Sequence, residues 1–215
     1  MDNKFFRFFR KTRDVIMINI LWLFCCIPVV TIGASCAAMY CAIFDLREGK
    51  TGCFKNFFRG FRKCFGLATK VWLSLAAVAG AIFVVSRFVG VLQIQLLSTA
   101  MVAAACAILI ICWVLLVSVF PLTAYFDTTL KKTLRNAAFI AVKHRKQTVR
   151  GAIFAAFPVL LLMFLPEVFL WTSGIWALLF PGTMAYYIAS RLTPILQSYG
   201  EKRKEKLQKE NEVQS

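Results

Sequence analysis

The chain has 215 residues, of which 60% are hydrophobic and 17% charged, with a formal net charge of +16 and a mean hydropathy of +0.69. Soluble domains carry about 25% charged residues. The composition therefore excludes a soluble globular domain and predicts a polytopic membrane protein. Almost all of the excess positive charge lies between apolar runs, as in the cytoplasmic loops of membrane proteins, so nucleic acid is not an expected partner.

In chain order, residues 1–14 interleave Phe5, Phe6, Phe8 and Phe9 with Arg7 and Arg10, a pattern suited to the headgroup level of a bilayer. Residues 15–44 contain no charged side chain and are flanked by basic clusters on both sides. A single crossing would place one cluster on the wrong side of the membrane. The run is therefore predicted to turn near Pro28, Thr31 and Gly33 and come back. Pro28 cannot donate a backbone hydrogen bond and disfavours a helical residue before it. The second arm, residues 34–44, spans only about 17 Å at 1.5 Å per residue, against a hydrocarbon core of about 30 Å. A short or re-entrant hairpin is thus as well supported as two full crossings. A cleaved signal peptide is not expected, because its apolar region would be about 7–15 residues long.

Residues 54–65 place Phe54, Phe57, Phe58, Phe61 and Phe65 at helical spacing opposite Lys55, Arg59, Arg62 and Lys63. This predicts a helix lying on the cytoplasmic leaflet, either a plain orienting anchor or a surface for anionic lipid headgroups or a partner protein. Residues 71–126 carry one charge, Arg87, and fit two spans, about 66–91 and 99–124, joined by an external turn at Gln93, Gln95, Ser98 and Thr99. Residues 127–150 form a basic connector that includes Arg135 and Lys143. Asn56 and Asn136 each open such a basic segment, a weak sign of an internal repeat. A span over 151–165, an external turn at Pro166 and Glu167, and a last span over 168–190, kinked at Pro181 and Gly182, complete the chain. The expected fold is all-α: a transmembrane bundle of about six helices with both termini cytoplasmic. Residues 1–195 form the membrane domain, and residues 196–215 form a charged tail, helical at first and then disordered.

Chemistry is thinly represented. Eight cysteines include no CxxC, and His144 is the only histidine, so no metal site or cofactor is expected. No paired membrane carboxylates, GxSxG, P-loop, GxGxxG or HExxH occurs, and no enzyme is predicted. Asn19, in the first arm, suits an interhelical hydrogen bond. Asp127 suits a local cap. Arg87 and Glu167 fall beside the two external turns, where they stand either as an outer-face pair or as two separate interfacial residues.

The block from Asn19 through Leu21, Trp22, Pro28, Val29, Val30, Thr31, Ile32 and Gly33 to Tyr40 resembles the opening of the YesL family. Phe120-Pro121-Leu122-Thr123-Ala124-Tyr125, followed by Leu134-Arg135-Asn136 and basic residues 143–146, is similar to that family's middle. The resemblance extends to about Thr193. It implies an integral protein of the bacterial cytoplasmic membrane, of unknown biochemical role, whose genes often neighbour carbohydrate uptake and utilisation systems. It brings no established functional residues. On this basis the expected function is non-enzymatic and accessory to carbohydrate uptake, with carbohydrate transporter subunits as partners. The alternative is a small transporter or channel whose site is the helix break at Pro28, Thr31 and Gly33.

Overall fold

The computed structural model describes residues 4–91, 95–126 and 129–214. Seven α-helices run through them: α1 (Lys4–Cys26), α2 (Ile32–Arg47), α3 (Cys53–Val91), α4 (Gln95–Tyr125), α5 (Leu130–Lys143), α6 (Arg145–Phe164) and α7 (Pro166–Gln214). A 3-10 turn over Val29–Thr31 joins α1 to α2. No strand occurs among the described residues. The side chains of Phe5, Phe6, Arg7 and Phe8, the turn residue Gln93, and Asp127 with Thr128 lie outside what is described.

Four helical stretches are long and apolar enough to cross a bilayer: Val29–Arg47, Cys53–Phe88, Met101–Tyr125 and Arg145–Phe164. They differ in what covers them. The apolar window of the first is 61% buried by protein and that of the second only 6%, so α2 is the core of the bundle and α3 largely faces lipid. Four helices (α1, α3, α4 and α7) pack around α2. Its Gly33, Ala34, Ser35, Ala37, Ala38 and Ala42 are all buried, and side chains this small let neighbouring backbones come close. Phe83, Phe88, Ile110, Ile111, Ile153, Met163 and Leu170, by contrast, are exposed, as expected of side chains that meet acyl tails.

Local sequence sets the ends of α2. Pro28 blocks continuation from α1, and the chain restarts within one 3-10 turn. At the other end Gly49 adopts φ +81. The Lys50 N–H donates to the Asp45 carbonyl at 3.0 Å and the Gly49 N–H to the Leu46 carbonyl at 3.2 Å. These are the paired bonds of a Schellman stop, which glycine serves without steric cost. Gly52, at φ +89, completes the reversal, and Asn56 Nδ2 donates to the Thr51 carbonyl at 3.3 Å. The start of α3 is thereby folded back along the end of α2.

Three expectations are corrected. Residues 54–65 are not a separate helix on the leaflet but the first turns of α3, which runs unbroken for 39 residues, about 58 Å. The reason lies in one seam. Phe57, Gly60, Cys64, Ala68 and Val71 are all buried, at spacings of three and four that carry the same face onto α2 and its neighbours without interruption. Phe57 is fully buried while Phe54 stays exposed, so the aromatic face is shared between core and surroundings. The basic connector likewise contains a seventh helix, α5, which buries Thr133, Ala137 and Ile140. In α7 the bend falls near residue 175 and not at Pro181: Pro166–Gly174 and Trp176–Glu201 meet at 86°. Here Thr172 and Ser173 hydroxyls donate to the Val168 and Leu170 carbonyls just before Gly174, a Ser/Gly step that competes with the helical ladder. Leu196 in α7 is fully buried.

Candidate functional site

The break between α1 and α2 presents Ile27, Val29 and Val30 as exposed apolar side chains. Such a tip suits lipid only if its backbone polar groups are satisfied from within. They largely are. Thr31 Oγ1 lies 2.6 Å from the Cys25 carbonyl and 2.7 Å from that of Pro28. The Ser35 hydroxyl donates to the Thr31 carbonyl at 2.9 Å. Trp72 Nε1, from α3, donates to the Val29 carbonyl at 2.9 Å. Gly33 makes the last bond possible: a Cβ there would lie 2.5 Å from the Ala68 carbonyl oxygen and 2.6 Å from Trp72 Cβ. Pro28, Thr31 and Gly33 are thus brought together in a tip closed by the protein's own donors.

Asn19 lies deeper in the bundle, fully buried. Its Nδ2 donates to the Leu178 carbonyl of α7 at 2.7 Å. Gly182 leaves room for the amide, since a Cβ there would meet Asn19 Oδ1 at 2.6 Å. Asn19 Oδ1 itself has no hydrogen-bond partner among the described residues.

Arg87 and Glu167 do not form the outer-face pair. Both are exposed, and no ion pair joins them among the described residues. α3 contacts neither α6 nor α7 among the described residues. Glu167 instead occupies the first turn of α7, where the positive end of the helix dipole favours a carboxylate. Arg87→Ala is accordingly expected to shift stability by no more than about 0.5 kcal/mol, read as an unchanged unfolding midpoint of the detergent-solubilised protein.

The basic side chains singled out in the sequence face the surroundings. Lys55, Arg59, Arg62 and Lys63 on α3 and Arg135 and Lys143 on α5 are exposed. The Lys143 ammonium lies 5.4 Å from the Phe139 ring centre and 5.6 Å from that of Tyr199, within cation–π range. The α2–α3 reversal adds a cluster that linear reading missed. Asp45 Oδ2 accepts from Arg59 Nη2 at 2.6 Å, and Asp45 Oδ1 from Lys50 Nζ at 2.9 Å. Lys50 also reaches Glu48 at 2.6 Å. The Lys50 ammonium is held above its ordinary pKa by Glu48 and then by Asp45. The Gly49/Gly52 reversal was the signal that could have revealed this cluster, because it folds residue 59 back onto residue 45. Behind the cluster, Cys41 Sγ and Cys64 Sγ are 3.7 Å apart and face the Ala124 and Thr123 carbonyls of α4.

The helices and their lipid-facing surfaces define an all-α membrane protein. A family model described as "Protein of unknown function, DUF624" matches residues 15–86, which carry most of α1, all of α2 and most of α3. The matched stretch therefore contains the closed tip, Asn19 and the Asp45 cluster. No curated protein and no solved structure matches the chain.

Proposed function

We propose that the protein is a YesL-type accessory component of the bacterial cytoplasmic membrane, without enzymatic activity of its own, that serves carbohydrate uptake by docking transporter subunits on its basic face. The match to DUF624, the family that includes YesL, supports the kinship. The observation that carries the accessory reading over a transport reading is the occupied helix break. A broken helix builds a transport site by offering free carbonyls or helix ends to a substrate or ion. Here the Cys25 carbonyl accepts from the Thr31 hydroxyl, that of Pro28 from the Thr31 N–H, that of Val29 from Trp72 and that of Thr31 from Ser35. The exposed cations of α3 and α5 provide a charged surface on the side that the positive-inside rule assigns to the cytoplasm.

Two assays test the proposal together. After mild solubilisation, permease subunits are expected to co-purify with the wild-type protein and to be lost on combined Lys55→Glu and Arg62→Glu substitution. Reconstituted alone in liposomes, the protein is expected to move neither sugar nor ion. Saturable flux of a sugar by the isolated protein would overturn the accessory reading in favour of a transporter.

A further inference from the structure

Between the end of α2, the first turns of α3 and the end of α4 lies a cavity of about 310 Å³. We infer that it is a binding site for a small phosphate ester that carries hydroxyl groups. This proposal does not depend on the accessory reading.

Three features of the cavity specify that chemistry. The first is charge. Among the described residues, Lys50, Arg59 and Lys63 line it with Asp45 and Glu48. Both acids are already engaged, Asp45 with Arg59 and Lys50 and Glu48 with Lys50. The second is preorganisation. The Asp45 side chain is only 14% exposed, and it fixes two of the cations before any ligand arrives, which lowers the ordering cost of binding. Arg59 has five N–H donors in a planar fork. Asp45 takes a single hydrogen bond from Arg59 Nη2, and the remaining donors suit phosphate oxygens. Asp45 and Glu48 each have more than one acceptor position, because a carboxylate offers about four lone-pair sites, and these suit ligand hydroxyls. The third is the floor. Phe44 and Tyr125, edge to face with centroids 5.5 Å apart, give the carbon skeleton an apolar surface to lie against.

Size narrows the class. Ligand pockets run from about 300 to 1,000 Å³, and this one stands at the small end. It accommodates a phosphorylated short polyol in preference to a nucleotide. The same chemistry occurs in two places: the glycerol-phosphate headgroup of an anionic lipid and a free polyol phosphate in the cytosol.

The full-length protein is reconstituted in nanodiscs of phosphatidylcholine and titrated calorimetrically with glycerol 3-phosphate, glycerol and inorganic phosphate. In a parallel arm its unfolding midpoint is compared between nanodiscs with and without phosphatidylglycerol. Binding of glycerol 3-phosphate identifies a soluble ligand. Stabilisation by phosphatidylglycerol alone identifies the lipid headgroup, and either result supports the site. Arg59→Gln and, separately, Lys63→Gln are expected to weaken the positive arm by about tenfold, the equivalent of one charge-assisted hydrogen bond. Lys131→Gln, at an exposed lysine on α5 outside the cavity lining, is expected to leave it unchanged. Circular dichroism of each variant identifies any that fails to fold, and Lys63→Gln provides the test if Arg59→Gln does. The proposal is overturned by no response in either arm, by inorganic phosphate binding as well as glycerol 3-phosphate, or by equal losses in Lys131→Gln and the cavity variants. Co-purification of permease subunits is scored separately on the same variants, so failure of this site and failure of the docking surface give different patterns.

Discussion

Replacing Gly33 with leucine is expected to separate α2 from α3 and leave little folded protein. The two helices touch where Gly33 faces the Ala68 carbonyl and Trp72 Cβ, and a Cβ would enter both at 2.5 and 2.6 Å. One of those obstacles is backbone and the other is the root of a side chain, so neither can move aside cheaply. Overpacking of this kind costs about 1–3 kcal/mol, occasionally more. A second loss follows the first. If α3 moves away, Trp72 Nε1 leaves the Val29 carbonyl, and a carbonyl stripped of its donor in an apolar setting costs about 1–3 kcal/mol further. The combined effect, about 2–6 kcal/mol, is a large part of the stability of an ordinary domain. Gly66→Ala provides the contrast. Nothing lies within 4 Å of a Cβ at that position, so alanine there is expected to be neutral or to stabilise by about 0.5–1 kcal/mol through helix propensity. Folded yield on size exclusion and the unfolding midpoint in detergent distinguish the two. Wild-type behaviour of Gly33→Leu would mean that α2 and α3 are not in contact at this point.

The second large effect is expected at Asn19. Asn19→Asp keeps the shape but removes the amide donor that meets the Leu178 carbonyl at 2.7 Å. It also sets a carboxylate against that carbonyl in a fully buried position. An uncompensated buried charge costs about 3–5 kcal/mol. Asn19→Leu removes the same hydrogen bond without adding charge and is expected to cost about 0.6–2 kcal/mol. The ordering wild type, then Asn19→Leu, then Asn19→Asp is therefore the expected ranking of thermal stability, with the loss concentrated in the docking of α1 on α7. An aspartate variant as stable as wild type would show that Asn19 is not enclosed by α7.

Much of the fold was legible in the sequence because apolar runs and charge clusters report directly on the choice between water and hydrocarbon. The all-α class, the turn at Pro28 and the spans in α3, α4 and α6 follow from that choice. Hydropathy does not distinguish lipid from protein interior, however. The α2 helix is enclosed by other helices and α4 is largely open, yet both read simply as apolar. The small residues of α2 were the available clue. The continuity of α3 was hidden by its basic side chains, which suggest a surface helix, while the seam from Phe57 to Val71 follows the core. The partners of Asn19 and Trp72 lie 159 and 43 residues away in sequence, and residue types alone cannot pair such distant positions. The same applies to Arg87 and Glu167. Each stands near an expected outer turn, and only the helix packing shows that α3 contacts neither α6 nor α7 among the described residues. The Asp45 cavity was concealed for a related reason, since it forms only once the Gly49/Gly52 reversal and the end of α4 are in place.

If α1 and α2 form a returning hairpin, as proposed, the basic starts of α1, α3 and α6 share the cytoplasmic side of the membrane. Single cysteines at Lys55→Cys, Arg135→Cys and Glu167→Cys, in a background without the eight native thiols, test it with a membrane-impermeant thiol reagent applied to intact cells. Labelling is expected at position 167, with protection at 55 and 135 until the cells are opened. Labelling at position 55 from outside, with a tag at the amino terminus still protected, would contradict it.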